Sequence, residues 1–370
     1  MVKQPGSSST LADLQLVASR SDRPAHLAAH EVSYAPQAAE RLAFLDALRG
    51  IAALSVFFYH AGLISQFGPI SVSAPFLNLG NFGVILFFLC SGFIIPFSLE
   101  RQGSLRRFWI RRIARLYPPY WASVALYVAI GLGLRRGESI GPLLADPLQV
   151  TLANLTMFQP LFGQPSLNYG YWTLLFEMLF YFLVSALFIT KLIRRTALIA
   201  ELFCLAAILV EAILPQWFGA PKPVLGLVGF LATMFLGTIF YRIHTQELSA
   251  RQAAPALILG GAMLVTTALS VPNGEHGIWE FIDHITARLL ALAVFSYAFI
   301  SRSRTVPGWL RFLGEISYSV YLMHMVVVSL VRFDSPLLTM LVWTVGVILL
   351  SSLTYWAIER PAMRLGRWLS

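Results

Sequence analysis

Along most of this chain the apolar positions continue without the polar alternation of a water-facing helix or strand. Ten such segments are read near residues 43–64, 78–98, 117–134, 171–190, 197–214, 224–241, 254–271, 284–301, 313–331 and 336–358. At 1.5 Å per residue, about 20 apolar residues cross the hydrocarbon layer of a bilayer as one helix. The pattern predicts an all-α, polytopic membrane bundle. Residues 1–40 have no apolar run and are rich in Ser, Ala, Pro and charge, so they are expected to form a disordered cytoplasmic tail before a membrane domain at 41–370.

Positive charge alternates between the connecting segments. Arg41 precedes the first span, Arg101 to Arg115 follow the second, Lys191 to Arg195 the fourth, Arg242 and Arg251 the sixth, Arg302 to Arg311 the eighth, and Arg360 to Arg367 the tenth. Residues 65–77 and 272–283 have neither Lys nor Arg. Arg135, Arg136, Lys222 and Arg332 run against the trend. Cytoplasmic loops hold the Lys/Arg excess, so the alternation predicts that both termini are cytoplasmic. Residues 137–170 form the longest outer segment, and QVTLANLTMFQPLFG within it suits an interfacial or re-entrant helix.

Polar residues inside the spans stand out. In RLAFLDALRGIAALSVFFYHAG, residues 41–62, the eleven steps from Arg49 to His60 make about three turns plus 20°. Asp46 falls near the same line. Three ionisable groups therefore share one stripe, with Arg49 and His60 roughly 16 Å apart along the axis. Each such group costs about 2.5–3.5 kcal/mol at the centre of a membrane helix, so the stripe points to a polar cavity. The purely structural alternative is an Asp–Arg pair with a hydrogen-bonded core histidine. Glu177, with Tyr181 one turn on, is a second buried acid, and Trp172 stands at its outer end. Ser317, Tyr321 and His324 share one helix face in RFLGEISYSVYLMHMVVV. Ser91 and Gly92 are small residues in GVILFFLCSGFIIPF; they suit either helix packing or substrate contact. Glu359 reads as a structural partner for an arginine. In RRFWIRRIARLYPPYW, Arg111, Arg112 and Arg115 gather at one mouth of the bundle, where arginine forks suit phosphate oxygens or anionic headgroups.

Composition narrows the class. Hydrophobic residues make up 57% and charged residues 12% of the chain, with a mean hydropathy of +0.69. A soluble domain carries about twice that charge. The net charge of +9 is loop charge, not a nucleic-acid surface. Cys90 and Cys204 both fall in apolar runs, so neither a disulfide framework nor a metal site is expected. No Walker loop, dinucleotide-binding glycine pattern or GxSxG elbow occurs.

Six blocks in order, LDALRGIAALSVFFYH, FFLCSGFII, FWIRRIARLYPPYW, WTLLFEMLFY, FLGEISYSVYLMH and AIERP, resemble the acyltransferase 3 family of membrane-bound acyltransferases over residues 41–364. The resemblance implies transfer of an acyl group, commonly acetyl, from acyl-CoA to a hydroxyl of a carbohydrate acceptor in a bacterial inner (plasma) membrane. It implies that Arg49 and His60 are the essential pair and that Arg112 and Arg115 lie where the coenzyme binds. The expected catalytic set is His60, Arg49, Asp46, Glu177 and His324, with His60 as general base. The expected coenzyme set is Arg49, Arg111, Arg112, Arg115, Ser91 and Trp172, with no metal. Trp172, Glu177, Tyr321 and His324 could orient the acceptor or stabilise charge. The chain is expected to lack the extracytoplasmic hydrolase-like domain of long members. A transporter or flippase using the stripe as its path, and an acyltransferase with a macrolide acceptor, stay open. Oligomeric state has no sequence signal.

Overall fold

A computed structural model describes residues 42–65, 77–135, 140–214, 226–268 and 278–370. The expected tail at 1–40, Arg41, Arg136, Lys222, residues 66–76 and residues 272–277 lie outside the described residues. The described residues are helical, without strands. In order the helices are α1 Ala43–Ser65, α2 Leu79–Gln102, α3 Leu105–Leu134, the short α4 Ile140–Ala145 and α5 Pro147–Asn154, and α6 Trp172–Ile189. They continue with α7 Thr196–Ala207, α8 Leu227–His244, α9 Ala250–Ala268, α10 Ile278–Ile300, α11 Gly308–Glu315, α12 Ser317–Leu330, α13 Pro336–Thr354 and α14 Arg360–Trp368.

The described part of each of the ten predicted spans falls on a helix or a helix pair, with residues 224–225 and 269–271 outside the described residues. Among the described residues seven segments are long and apolar enough to cross a membrane, or eight if α11 and α12, bent by 70° at Ile316, form one broken span. α3 and α9 do not meet that test. α3 opens on five arginines and holds Pro118 and Pro119, and α9 carries Arg251 and Pro255. Residues 149–163, read as interfacial, fold into most of α5 and the 3₁₀ turn Gln159–Phe162, with α4 before them and a second 3₁₀ turn, Tyr169–Tyr171, after them. Leu148 and Leu152 of α5 are exposed while Val150 and Ala153 are buried.

The centre of the bundle is set by close backbone approaches, as expected where lipid removes the usual hydrophobic drive between helices. α2 and α8 cross backbone to backbone. A Cβ at Gly92 would collide with the Met234 carbonyl, and one at Gly237 with the Leu89 carbonyl. Thr238 donates to the Gly92 carbonyl at 2.8 Å. α1 is held on α2 at Gly83 and on α11 at Gly314 in the same way. Two helices carry π turns, Ile208–Ile213 after α7 and Tyr355–Glu359 after α13. Each turns a glutamate, Glu211 or Glu359, into the interior.

Candidate functional site

The stripe on α1 opens onto two chambers rather than one. The first is narrow, about 60 Å³, and is walled by Arg49, Ser91, Arg112, Arg115, Glu177 and aromatic residues of α2 and α12. Three guanidinium groups and one carboxylate make it cationic. Arg112 is 9% exposed, held between the rings of Phe108 and Tyr181 at 5.5 and 5.4 Å. Tyr181 donates to Glu177 at 2.5 Å, which fixes that carboxylate against the chamber wall. The α3 proline pair follows the arginines directly, so Arg112 and Arg115 sit on the turns just before a segment that lacks two backbone donors.

The second chamber is roomier, about 390 Å³. His60, Tyr59, Asn81, Trp172, Glu211, His284 and Arg288 are among its walls. Val84 and Tyr321 line both chambers and separate them. Tyr321 is fixed there. Its Oη lies 2.6 Å from Thr173 Oγ1 and 2.9 Å from the Gly170 carbonyl.

The hydrogen bonds of His60 define its tautomer. Its Nδ1 lies 3.0 Å from the Val56 carbonyl. A carbonyl only accepts, so Nδ1 carries the hydrogen and Nε2 holds a free lone pair. His324 repeats the pattern, with Nδ1 3.2 Å from the Val320 carbonyl. That leaves His324 Nε2 as an acceptor 3.3 Å from His60 Nδ1, so the one Nδ1–H of His60 is shared between the Val56 carbonyl, the nearer acceptor, and His324. The two imidazoles form a chain in which His324, fully buried behind His60, accepts from it. A proton arriving at His60 Nε2 would strengthen the Nδ1–H···His324 bond, because charged donors bond more strongly.

The loop before α6 completes this chamber. Asn154 ties it down through Nδ2 to the Val150 and Pro165 carbonyls and through Oδ1 from the Leu167 amide. Asn168 Nδ2 donates to the Leu322 carbonyl. The tied loop stacks Tyr169 parallel to His60, 6.2 Å between centroids, and delivers Trp172 at the start of α6.

The expected residues are thus distributed. Arg49, Ser91, Arg112, Arg115 and Glu177 share the arginine chamber. His60 and Trp172 share the histidine chamber, so Trp172 stands apart from the arginines expected to share its role. His324 supports His60 without lining either space. Arg111 points away, with Nε donating to Ser370 at 2.8 Å. Asp46 lines neither chamber, and its backbone carbonyl lies against Gly314. The SGF notch divides its duties: Gly92 packs, Ser91 faces the chamber. Glu359 accepts from Ser319 at 2.8 Å and is completely buried. Asn81, Glu211, His284 and Arg288 were not singled out by the sequence reading. The last three are ionisable or titratable residues inside predicted spans, the same signal that marks Glu177. Among the described residues no group of three or more His, Cys, Asp or Glu side chains could hold a metal ion.

A family model described as an acyltransferase domain matches residues 42–359. The chain belongs to the acyltransferase 3 family. Among relatives of this acyltransferase-family chain is the exopolysaccharide production protein ExoZ of Rhizobium meliloti, 29% identical over 78% of the chain and 92% of ExoZ. Nodulation protein 10 of Rhizobium leguminosarum is 26% identical over 86% of the chain and 93% of its own length. The acyltransferase MdmB of Streptomyces mycarofaciens is 29% identical over 47% of the chain and 45% of its own length. No solved structure matches the chain. The matched region contains both chambers and every residue named around them.

Proposed function

We propose that the protein is an acyl-CoA-dependent O-acyltransferase that moves an acyl group, acetyl by preference, to a hydroxyl of a carbohydrate acceptor. The observation that carries this reading is the pair of chambers meeting at Val84 and Tyr321, one ringed by arginines, the other bearing His60 with Nε2 free. In the ten-span arrangement with both termini cytoplasmic, the arginine chamber faces the side where acyl-CoA is made. Arg112 and Arg115 suit the donor's phosphates, since guanidinium forks match phosphate oxygens. The narrow bore suits the extended arm that carries the thioester, with Arg49 and Ser91 along its wall.

In the histidine chamber His60 Nε2 takes the proton of the acceptor hydroxyl as its oxygen bonds to the thioester carbonyl carbon. The carbon–sulfur bond then breaks, and His60 returns the proton to the departing thiolate. The Val56 carbonyl and His324 hold the Nδ1–H of His60 throughout, so the charge formed on the imidazole is shared along preset hydrogen bonds. Tyr59, Trp172 and Tyr321 offer aromatic faces for a sugar ring. The relative named for exopolysaccharide production supports a carbohydrate acceptor.

Mass spectrometry of cell-envelope glycans, with and without the gene, tests the reading. Loss of an acetyl-sized mass increment from one glycan is expected. Unchanged glycans, with a labelled small molecule carried unmodified across vesicles by the purified protein, would replace the enzyme by a transporter.

A further inference from the structure

Arg288 is the charged group in the histidine chamber for which the proposed transfer has no use. It lies on α10 and lines the chamber. Its Nη1 donates to Thr267 Oγ1 at 2.7 Å and more weakly to the Leu264 carbonyl at 3.4 Å. Its Nε is buried and has no hydrogen-bond partner. Among the described residues no ion pair is formed by Arg288. A guanidinium in a membrane interior is normally paired with an anion or with carbonyls, and a buried donor without a partner is destabilising.

Glu211 is the anion that acts on Arg288 electrostatically, and the two share the chamber wall without an ion-pair contact. It projects from the π turn after α7 onto the start of α8, where its Oε1 accepts from the Gly229 amide at 2.9 Å. A carboxylate at a helix N-terminus satisfies amides that have no intrahelical partner. A Cβ at Gly229 would come within 2.7 Å of Glu211 Oε2, so glycine there lets the carboxylate close on the backbone. Glu211 therefore commits its Oε1 to the α7–α8 joint and reaches Arg288 only through its field. Thr267 holds one arm of Arg288 through Nη1 and Nε is buried, which leaves Nη2 as the charged donor a carboxylate in the chamber can meet. Asn81 Nδ2 lies 2.7 Å from His284 Nδ1 on the same chamber wall, which adds polar groups suited to ring hydroxyls.

We propose that Arg288 anchors the acceptor by a carboxylate, so that the histidine chamber selects an acidic saccharide, such as a uronic-acid residue, over its neutral counterpart. The proposal rests on the acyl-acceptor reading of this chamber but can be tested apart from it. Purified full-length protein in nanodiscs is given an oligogalacturonate and the same oligosaccharide with its carboxyls reduced to alcohols. Binding is measured calorimetrically without donor, and transfer is measured with labelled acetyl-CoA. The wild type is expected to bind the acidic form at least tenfold more tightly. Arg288→Gln should erase that preference, and Arg288→Lys, which keeps the charge, should retain part of it. The wild-type comparison needs no variant, so a poorly folded Arg288→Gln leaves the test intact. Equal binding of the two forms, no binding of the acidic form, or an undiminished preference in folded Arg288→Gln would overturn the role of Arg288. Preferential binding without any acetyl transfer would instead overturn the transferase reading and leave the anchor standing. Equal transfer to both forms would do the reverse.

Discussion

At the scale of single residues, the sequence marks a side chain by the cost of putting it in a bilayer, not by what it meets. That rule singles out Arg49, His60, Glu177 and His324, and three of these line the two chambers while the fourth backs His60. Glu211, His284 and Arg288 obey the same rule, but no short motif surrounds them. The Asn81–His284 contact joins residues 203 positions apart, a pairing that local spacing cannot reveal. Arg111, Arg112 and Arg115 look alike in sequence. Helix rotation sends Arg111 to Ser370 and the other two inward. Accordingly, Arg112→Ala with Arg115→Ala should raise the apparent KM for acyl-CoA at least tenfold, whereas Arg111→Ala should leave it within about twofold. Steady-state kinetics at varied donor concentration checks both. His324→Ala should lower kcat by up to about 100-fold with little change in donor KM, at the low end of the roughly 10²–10⁴-fold that a general base contributes, because His324 only supports the base. Combined with His60→Ala it should cost nothing further, because the two imidazoles work as one unit. An additive double variant would show that His324 acts elsewhere.

At the scale of helices, apolar length is easily read and curvature is not. The described parts of the predicted spans fall on helices throughout, yet the 70° bend at Ile316 and the π turns at Ile208–Ile213 and Tyr355–Glu359 carry no periodic signal. Those irregularities matter because π turns re-aim one side chain; here they bury Glu211 and Glu359. The SGF notch was open to two readings in sequence, packing or substrate contact, and the helix crossing assigns one residue to each. Gly92→Val should therefore lower stability by about 1–3 kcal/mol or more, since added bulk at a filled contact is destabilising. Ser91→Ala should leave thermal unfolding unchanged and alter donor KM. Melting curves in detergent, set beside kinetics, separate the two. Equal melting temperatures for Gly92→Val and the wild type would contradict the backbone contact with Met234.

At the scale of the whole molecule, one helix face predicts one cavity, but Val84 from α2 and Tyr321 from α12 divide it into an arginine side and a histidine side. Charge alternation supplies the direction of that path across the membrane, and cysteine labelling can test it. Cys90 and Cys204 are buried, so an impermeant maleimide meets little background. Ser303→Cys, in the exposed link between α10 and α11, should label only from the cytoplasmic side. Leu161→Cys, in the exposed turn before α6, should label from outside intact cells. The opposite pattern would invert the proposed path and put His60 on the wrong side for an external acceptor.

The central claim is that His60 is the base at which an acyl group changes hands. The most direct measurement compares wild type and His60→Ala in nanodiscs, recording binding of labelled acetyl-CoA and transfer of its label to acceptor in the same samples. Retained donor binding with transfer reduced by at least a hundredfold is the predicted result, and wild-type transfer by folded His60→Ala would contradict it.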